Sequence, residues 1–351
     1  MTEIFGFTLL KNGIKYDYPF FESLYSLNQL CQKIYLALGD SEDGTAEFIS
    51  NSGLNLRVIP TVWDTTKRDG AQVLSVETNI ALTTLRFEQK NKEAWGIYLQ
   101  ADEVFHEDDI ELIKQDITKA QEEGHDAVSF CYYHFWESHS QVAINKKWYP
   151  HEIRAIKLAC PAQSWGDAQS FRPCQKIYYS EARVFHYGHV REQDKYKAKK
   201  EDILKLYHSE EKMAKYQRRE RRFDKMTECL RYLGTHPKIM KERILRLGEV
   251  WQHPFKEKLY IQADEKTSAK LTKDLLGKVH CGEIIIVSKI SEVPKSMRPD
   301  CVILSPSFWE KFWYPSRVPR SMRSKLARPW TFSEYLMLKL SEKGFAQKVD
   351  L

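Results

Sequence analysis

The sequence lacks several features that would assign it to a special class of protein. It has no apolar run long enough to span a bilayer, and its seven cysteines include no CxxC pair. An odd, scattered set of cysteines is typical of reduced thiols in a cytosolic protein. The N-terminal residues carry no basic region followed by a long apolar stretch, so they predict a buried strand rather than a secretory signal. We therefore expect a cytoplasmic protein.

Net charge is also small. The 351 residues carry a formal charge of +6, which permits contact with phosphates or an anionic membrane but requires neither. No recognised nucleic-acid-binding motif accompanies the basic stretches, so nucleic acid is not an expected partner. Residues 192–232 predict a charged helical stretch, and residues 312–330 interleave aromatic and basic residues. Both patterns would suit peripheral contact with the inner face of the membrane.

The first part of the chain alternates short apolar strands with helical patterns. Such alternation predicts an α/β fold with a mostly parallel sheet covered by helices on both faces. The ligands of these folds bind beyond the carboxyl ends of the strands. The predicted strands are Ile4–Leu10, Ile34–Leu38, Leu56–Pro60, Trp95–Leu99 and Ala127–Tyr133, and the predicted helices are Phe20–Cys31, Val73–Phe87 and Ile110–Ala120.

The later residues divide into two kinds of sequence. Residues 134–191 are dense in aromatics, His and Arg with little periodicity, which favours loops that build a site on the scaffold. The composition changes again near residues 252–257, followed by short apolar runs at 259–261, 283–288 and 301–304 around a helical pattern at 269–276. We therefore predict a domain over 1–252 and a smaller C-terminal α/β unit over 253–351.

One buried strand ends abruptly in two adjacent acids. Trp95–Leu99 is followed by Gln100, Ala101, Asp102 and Glu103. Carboxylates at a strand's carboxyl end can bind a divalent cation, which would in turn neutralise a nucleotide diphosphate. Asp102 as the cap of a following helix is an equal alternative. The stretch 98–103 nearly recurs at 260–265, so an internal duplication is a second alternative.

The order of further motifs resembles the family 2 glycosyltransferases, which have the GT-A fold, and a bacterial subgroup of that family in particular. The resemblance covers about residues 3–252. The matching motifs are, in order, Asn12, the loop Gly39–Thr45, Thr78–Asn79, Gln100–Asp102, His134–Phe135, Trp148–Arg154, Asp167–Arg172, His186–Arg191 and Gly234–Pro237.

This resemblance implies a site for the nucleotide of a nucleotide diphosphate sugar and a divalent cation, Mn or Mg. The cation would be held by Asp102 and His186, although a structural role is almost as plausible for this histidine. The sequence departs from the family pattern at two places. Gln100 replaces the first acid of D-x-D. Leu38-Gly39 occupies the place where the family has an Asp after the second strand, so Asp40 would substitute for it. The implied donor-nucleotide ligands are Asn12, Asp40, Asp43, Asn79, Gln100, Asp102 and Glu103.

The acceptor side is also implied by the resemblance. Asp167 lies where inverting enzymes place the general base, and the alternative is a loop aspartate paired with Arg172. The other residues expected to contact the acceptor or the diphosphate are arginines, aromatics and one acid, each of which could equally be an ordinary packing or ion-pair residue. They are Trp148, Tyr149, Glu152, Arg154, Arg172 and Arg191.

Three functions remain open from the sequence. The leading one is an inverting glycosyltransferase that acts on a cell-surface polysaccharide or a lipid-linked acceptor, and the acceptor class comes from the resemblance only. A sugar nucleotidyltransferase shares the sheet architecture, but the loop after the first strand is poor in glycine for that class. A non-catalytic scaffold that binds sugar or nucleotide is the third, because Gln100 removes an acid.

Overall fold

The structure is a computed structural model, and its first compact unit holds the predicted strand–helix alternation. This unit consists of residues 1–138, 149–226 and 237–243, and the second consists of residues 139–148, 227–236 and 244–351. The predicted boundary at residue 252 lies outside the described residues and stays a prediction. The structure describes residues 2–64, 71–143, 148–191, 195, 229–232, 235–249, 256–262, 281–292, 294 and 302–303.

The elements of the first unit follow the predicted order closely. Its helices are α1 (Phe20–Asn28), α2 (Thr45–Ser50), α3 (Gln72–Glu88) and α4 (Ile110–Glu122). Its strands are β1 (Ile4–Leu10), β2 (Ile34–Gly39), β3 (Leu56–Thr61), β4 (Trp95–Tyr98), β5 (Glu103–Phe105), β6 (Ala127–Trp136), β8 (His151–Lys157), β9 (Gln163–Ser164), β10 (Phe171–Arg172) and β11 (Ile177–His189).

Strand β1 shows why the sheet is covered on both faces. All seven of its residues are buried, and successive side chains of a strand point to opposite faces. Ile4 and Leu10 pack in the hydrophobic cluster that also contains residues of α1 and α4. Phe5, Phe7 and Leu9 pack in a second cluster with residues of α3. A strand buried on both faces is apolar along nearly its whole length, and in β1 the one polar side chain, Thr8, donates to the carbonyl oxygen of Leu99.

The sheet is mixed and mostly parallel, as predicted. Strands β3, β2, β1 and β4 lie side by side in that order and are parallel. Strand β8 lies between β4 and β6 and is antiparallel to both. Strand β11 is parallel to β6 and antiparallel to the short β5. This is the α/β architecture of GT-A-like nucleotide-binding folds.

The interpretation of residues 134–191 as loops is wrong for most of that range. The range contains β8 and the 13-residue β11, which are integral strands of the sheet. Most of the residues in the second half of β11 are buried, including aromatic and His residues. A strand covered on both faces by such residues has no alternation of apolar and polar positions, so local periodicity does not reveal it.

The second unit contains short strands in two groups. Strand β7 (Ser138–Ala143) pairs with β12 (Cys229–Arg231) in antiparallel fashion. Strand β13 (Lys256–Gln262) lies parallel to both β14 (Cys281–Val287) and β15 (Val302–Ile303). These three strands match the predicted C-terminal runs. The predicted helix at 269–276 and the basic segment at 312–330 lie outside the described residues.

Two other features complete the fold. The short helix α5 spans Lys241–Arg246. Among the helices of the described residues, none combines the length and apolar character that a membrane span requires. Most of the predicted charged stretch at 192–232 lies outside the described residues.

Candidate active site

Three loops with polar residues follow strands that end at one edge of the sheet. Strand β1 is parallel to both β2 and β4, so the carboxyl ends of all three strands lie at the same edge. The loop after β1 contains Asn12, the loop after β2 contains Asp40, and the loop after β4 contains Asp102. The chain thus brings three of its four candidate donor motifs to the edge where α/β sheets bind ligands.

An ion pair joins the first two loops. The Nζ of Lys11 lies 2.6 Å from an Oδ of Asp40, whose side chain is about half exposed. The hydrogen bond from Lys11 lowers the pKa of the Asp40 carboxyl below its ordinary value. Asp40 is therefore ionised at neutral pH and already has a cationic partner, so it would meet a ligand as part of a pair.

Hydrogen bonds fasten the same two loops further along. The Oδ1 of Asn12, a residue in the left-handed region at φ 51°, accepts the backbone N–H of Glu42 at 3.2 Å. Asp43 accepts the backbone N–H of Lys15 at 2.6 Å and that of Thr45 at 3.1 Å. Burial acts to raise the pKa of Asp43, but these hydrogen bonds outweigh it and the pKa is lowered. Both side chains thus shape the loops at this edge.

Asp102 lies buried between a histidine and an arginine. One carboxylate oxygen is 3.8 Å from Nε2 of His186, and the other is 3.9 Å from a terminal nitrogen of Arg191. Strand β5 begins at the next residue, so Asp102 does not cap a helix and that alternative is wrong. Its backbone carbonyl accepts the N–H of Tyr187 at 2.8 Å, which fixes it against β11.

The hydrogen bonds of a second histidine set the tautomer of His186. Nε2 of His134 lies 2.8 Å from the carbonyl oxygen of Tyr149, which can only accept, so this nitrogen carries a proton. Nδ1 of a neutral His134 is then an acceptor, and it lies 3.0 Å from Nδ1 of His186. With both imidazoles neutral, His186 donates from Nδ1 and the lone pair of its Nε2 is on the side of Asp102, whereas a protonated His186 would carry a proton on Nε2. This assignment follows from the hydrogen-bond network.

Gly188 leaves room beside these two groups. A Cβ at this position would lie 2.5 Å from Nε2 of His186 and 2.8 Å from Oδ2 of Asp102, so no side chain fits there. A carboxylate oxygen and an imidazole lone pair are both ligands of divalent transition metals such as Mn²⁺. The side chains of Asp102 and His186 therefore fit the predicted cation in their chemistry.

A second group of possible metal ligands is less suitable. His106, Glu107 and Asp108 lie close enough together to share an ion. However, Nδ1 of His106 already accepts the backbone N–H of Asp108 at 3.1 Å, as the cap of the short helix that follows. That lone pair is the one that faces the two acids, so a metal would have to displace the cap. We interpret this group as a helix cap.

Arg191 is a buried guanidinium next to the Asp102 carboxylate. Its terminal nitrogens donate to the carbonyl oxygens of Tyr16 and Gly188, each at 2.7 Å. Its buried Nε has no hydrogen-bond partner among the described residues. The guanidinium also lies 4.9 Å from the ring centre of Tyr18, whose pKa burial raises. The group is held in place by backbone carbonyls and adds positive charge beside Asp102.

Glu103 and Arg154 are committed to each other. Both side chains are fully buried, and two nitrogens of Arg154 lie 2.7 and 2.9 Å from the two oxygens of Glu103. The hydroxyl of Tyr132 donates to the same carboxylate at 2.9 Å. Burial acts to lower the pKa of Arg154, but the charge of Glu103 raises it well above its usual value. This geometry gives both residues a positioning role.

Side chains fixed to the sheet hold the loop that carries Asp167. The amide nitrogen of Gln100 lies 3.5 Å from the carbonyl oxygen of Asp167 and 3.3 Å from that of Ala168. Arg154 donates to the carbonyl of Gln169 at 2.6 Å. Ala168 is held in the left-handed region at φ 62°. Three consecutive carbonyls of the loop thus accept from groups fixed to the sheet, which ties Asp167 to the edge that carries Asp102.

Two residues of the predicted site, the donor ligand Asn79 and the acceptor-side Arg172, lie at the hairpin of β9 and β10. Asn79 on α3 exchanges two hydrogen bonds with the backbone of Ser164, at 2.8 and 2.9 Å. Its amide is therefore used in pairing with β9. The guanidinium of Arg172 stacks on the exposed ring of Trp165, 4.0 Å from its centre. This stack places a flat cationic surface near the Asp167 loop.

The remaining predicted contacts differ in position. Glu152 accepts from the amide of Gln169 at 2.6 Å and so supports the Asp167 loop. Tyr149 packs edge-on against the ring of His134, with ring centres 4.5 Å apart, and burial raises the pKa of its hydroxyl well above the usual value. Trp148 is buried and belongs to the second unit.

The sequence analysis missed several residues of this edge. Lys11 neutralises Asp40, and its Nζ lies 5.6 Å from the ring centre of Trp63. A Cβ at Gly39 would lie 2.5 Å from Nε1 of that tryptophan, so the glycine allows the ring to pack on the β2 loop. His134 was noted within a motif but not as the residue that sets the tautomer of His186. These roles depend on contacts between segments that are distant in sequence, and no local sequence pattern predicts them.

Comparison with known proteins gives only distant likenesses. No family model matches the chain, and no curated protein does. Among solved structures, S. aureus TarS 1–349 in complex with UDP is 11% identical, with 58% of this chain and 64% of that chain covered and a TM-score of 0.34. The same protein with UDP-GlcNAc gives a TM-score of 0.33 at the same identity and coverage.

A further solved structure is equally distant. HddC from Yersinia pseudotuberculosis is 13% identical, with 58% of this chain and 100% of that chain covered and a TM-score of 0.28. The chain spans less than two thirds of the TarS 1–349 structures. Because these TM-scores are far below 0.5, we base the functional argument on the geometry of the site.

Proposed function

We propose that this protein is a glycosyltransferase that moves a sugar from a nucleotide diphosphate sugar to an acceptor hydroxyl with inversion. One observation carries the proposal. Asp102, His186 and Arg191 meet at the sheet edge to which the loops after β1 and β2 also belong. A carboxylate, an imidazole lone pair and a fixed guanidinium form a suitable set of groups for a diphosphate and its cation.

Each group at this edge has a distinct task in the proposed reaction. Asp102 and His186 would hold a Mn or Mg ion, which when bound neutralises the diphosphate as it leaves. Arg191 would donate hydrogen bonds to phosphate oxygens of the diphosphate. The loops with Asn12 and Asp43 would receive the nucleoside, because they are fixed to each other beside the end of β1. These assignments extend the resemblance to named atoms of this chain.

The acceptor side rests on the loop that Gln100 and Arg154 hold. In an inverting transfer, the acceptor oxygen attacks the anomeric carbon while the bond from that carbon to the diphosphate breaks. A base opposite the diphosphate takes the acceptor's proton, and we assign this role to Asp167. Arg172, stacked on Trp165, would face a saccharide or a lipid-linked acceptor with anionic groups.

The donor site can be tested by thermal unfolding of the full chain with nucleotide diphosphates, with and without Mn²⁺. At a ligand concentration of about 100 times Kd, binding adds about 2.7 kcal/mol of stability. For a protein of this size that corresponds to a rise in Tm of roughly 4 °C. We expect Asp102→Asn to lose most of the Mn²⁺-dependent rise. Absence of any rise in the wild type, or a full rise in the variant, would contradict the proposal.

Two control variants match this change. Asp108→Asn removes one charge from the other possible metal group and should keep the full rise in Tm. Asp264→Ala changes the aspartate that occupies the place of Asp102 in the second copy of the repeated stretch, outside the described residues. We expect Asp102→Ala to abolish transfer and Asp264→Ala to leave it nearly intact. Equal losses in both folded variants would point to a second site in the C-terminal unit.

A product assay separates the enzyme classes. A glycosyltransferase releases a nucleoside diphosphate from a nucleotide sugar when an acceptor is present. A nucleotidyltransferase releases pyrophosphate from a nucleoside triphosphate and a sugar phosphate. A scaffold that only binds would show the rise in Tm without either product. Release of the nucleoside diphosphate, lost in Asp102→Ala, is the expected result.

A further inference from the structure

Two cysteines lie together at the base of the hairpin that carries the Asp167 loop. Strands β9 and β10 pair in antiparallel register, with Gln163 opposite Arg172. Cys160 precedes this pair by three residues, and Cys174 follows it by two. The two cysteines therefore flank the open end of the hairpin, and the Asp167 loop forms its closed end. Both are free thiols.

The thiol of Cys160 reaches the residue directly before Cys174. The Sγ of Cys160 donates to the carbonyl oxygen of Pro173 at 3.5 Å. The Sγ of Cys174 donates to the carbonyl of Phe171 at 3.7 Å. Cys160 is buried, while Cys174 is partly exposed and gives small molecules access to the pair.

An arginine provides positive charge beside this pair. A terminal nitrogen of Arg86 donates to the carbonyl oxygen of Cys160 at 2.5 Å, and its buried Nε has no hydrogen-bond partner among the described residues. Once Cys160 is ionised, the thiol of Cys174 can turn from Phe171 and donate to it, which lowers the pKa of the Cys160 thiol, and the charge of Arg86 acts in the same direction. The same contact raises the pKa of Cys174. One thiol is thus favoured as thiolate and its neighbour as the protonated form.

We propose that Cys160 and Cys174 form a redox modification site, in which hydrogen peroxide converts the two thiols into a disulfide across the base of the hairpin. The Cys160 thiolate attacks one peroxide oxygen, the O–O bond breaks, and Cys160 becomes a sulfenic acid as hydroxide leaves. The Cys174 sulfur then attacks the Cys160 sulfur. The S–S bond forms, and the hydroxyl of the sulfenic acid leaves as water with the thiol proton of Cys174.

A third cysteine of the same unit provides the internal control. Cys31 is buried in the hydrophobic cluster around α1, and burial raises the pKa of its thiol. It therefore resists both oxidation and alkylation as long as the protein is folded. The proposal concerns the chemistry of the thiols alone, so it stands or falls independently of the sugar-transfer activity.

The test treats the full-length protein with hydrogen peroxide, blocks the remaining thiols and maps its peptides without reduction. The expected product joins the Cys160 and Cys174 peptides, weighs about 2 Da less than the two reduced peptides and separates with dithiothreitol. In Cys174→Ser, where no partner thiol is present, dimedone should label Cys160 as a sulfenic acid. Cys31 should stay reduced in both proteins. Oxidised Cys160 without the cross-link in the wild type would overturn the proposal.

A second measurement needs no substitution and therefore no assumption about variant folding. Brief alkylation of the native wild-type protein with iodoacetamide at pH 7 should modify Cys160 at least roughly tenfold faster than Cys31, because the thiolate is the reactive form. The rate at Cys160 should persist at a pH where an ordinary thiol is protonated. Equal slow labelling of both cysteines, or faster labelling of Cys31, would overturn the proposal.

Discussion

The buried pair of Glu103 and Arg154 allows a sharp test of how the site is supported. Glu103→Gln keeps the shape of the side chain and removes its charge, which leaves the guanidinium of Arg154 buried without a counter-ion. Both side chains are 0% exposed and make two hydrogen bonds of 2.7 and 2.9 Å. Breaking such a pair from one side costs about 3–5 kcal/mol. We expect a loss of folding stability in that range.

A surface ion pair with a similar nitrogen–oxygen distance provides the matched control. Glu111 and Lys114 lie 2.6 Å apart on α4, with side chains that are 75% and 40% exposed. Glu111→Gln should cost less than about 0.5 kcal/mol, because exposed pairs gain little and leave no buried charge when broken. Because the distances are alike, the difference between the two variants measures the effect of burial.

Urea unfolding of the full chain, followed by tryptophan fluorescence, measures both free energies of unfolding. A double variant, Glu103→Gln with Arg154→Met, should be more stable than the sum of the two single losses predicts, since neither charge remains. The resemblance instead implies that Glu103 binds the donor nucleotide. A Glu103→Gln protein with unchanged stability and lost nucleotide binding would refute the positioning role and support that implication.

Three further predictions concern the loops of the site. Gln100→Glu places a carboxylate against two carbonyl oxygens, so amide exchange at Ala168 should accelerate, whereas Gln163→Glu on the exposed side of β9 should leave it unchanged. The lowered pKa of Asp43 means that its stabilising effect is present above about pH 4 and lost below it; Asp43→Asn should flatten the acid limb of urea-measured stability. Asp167→Asn should lower turnover by at least roughly a hundredfold without loss of donor binding, and near-normal turnover would eliminate it as the base.

The strands of the parallel half could be predicted because their signal is local. Strand β1 is a run of seven buried residues that are apolar except for Thr8, and the residues of β2 are likewise all buried. Between such runs, α1 and α3 show apolar residues at helical spacing, and both helices bury that face. Because apolar runs alternate with helical patterns, few topologies are possible, so the sequence predicts both the parallel sheet and the edge at which the carboxyl ends of its strands lie.

The antiparallel half could not be predicted in the same way. Strand β8 lies between β4 and β6, although β6 follows β4 along the chain. Insertion of a later strand between two earlier ones depends on long-range strand pairing, which local sequence periodicity does not predict. Strand β5 has three residues, too few for any pattern, yet it ends the loop of Asp102 and removes the possibility of a helix cap there. The sequence therefore placed the acids correctly and left the element that follows them undecided.

Gln100 is the residue that argues most against a catalytic glycosyltransferase in the sequence analysis, because it occupies a position where the family has an acid. Its side-chain amide donates toward the carbonyl oxygens of Asp167 and Ala168, two acceptors that would repel a carboxylate. An amide at this position can hold the Asp167 loop against the end of β4, and a carboxylate could not. The loss of the acid is thus explained by a contact that the chain gains. Under the proposed function, the negative charge that a cation needs would come from Asp102, with the lone pair of His186 as the second ligand, so the substitution does not by itself favour a degenerate, non-catalytic protein.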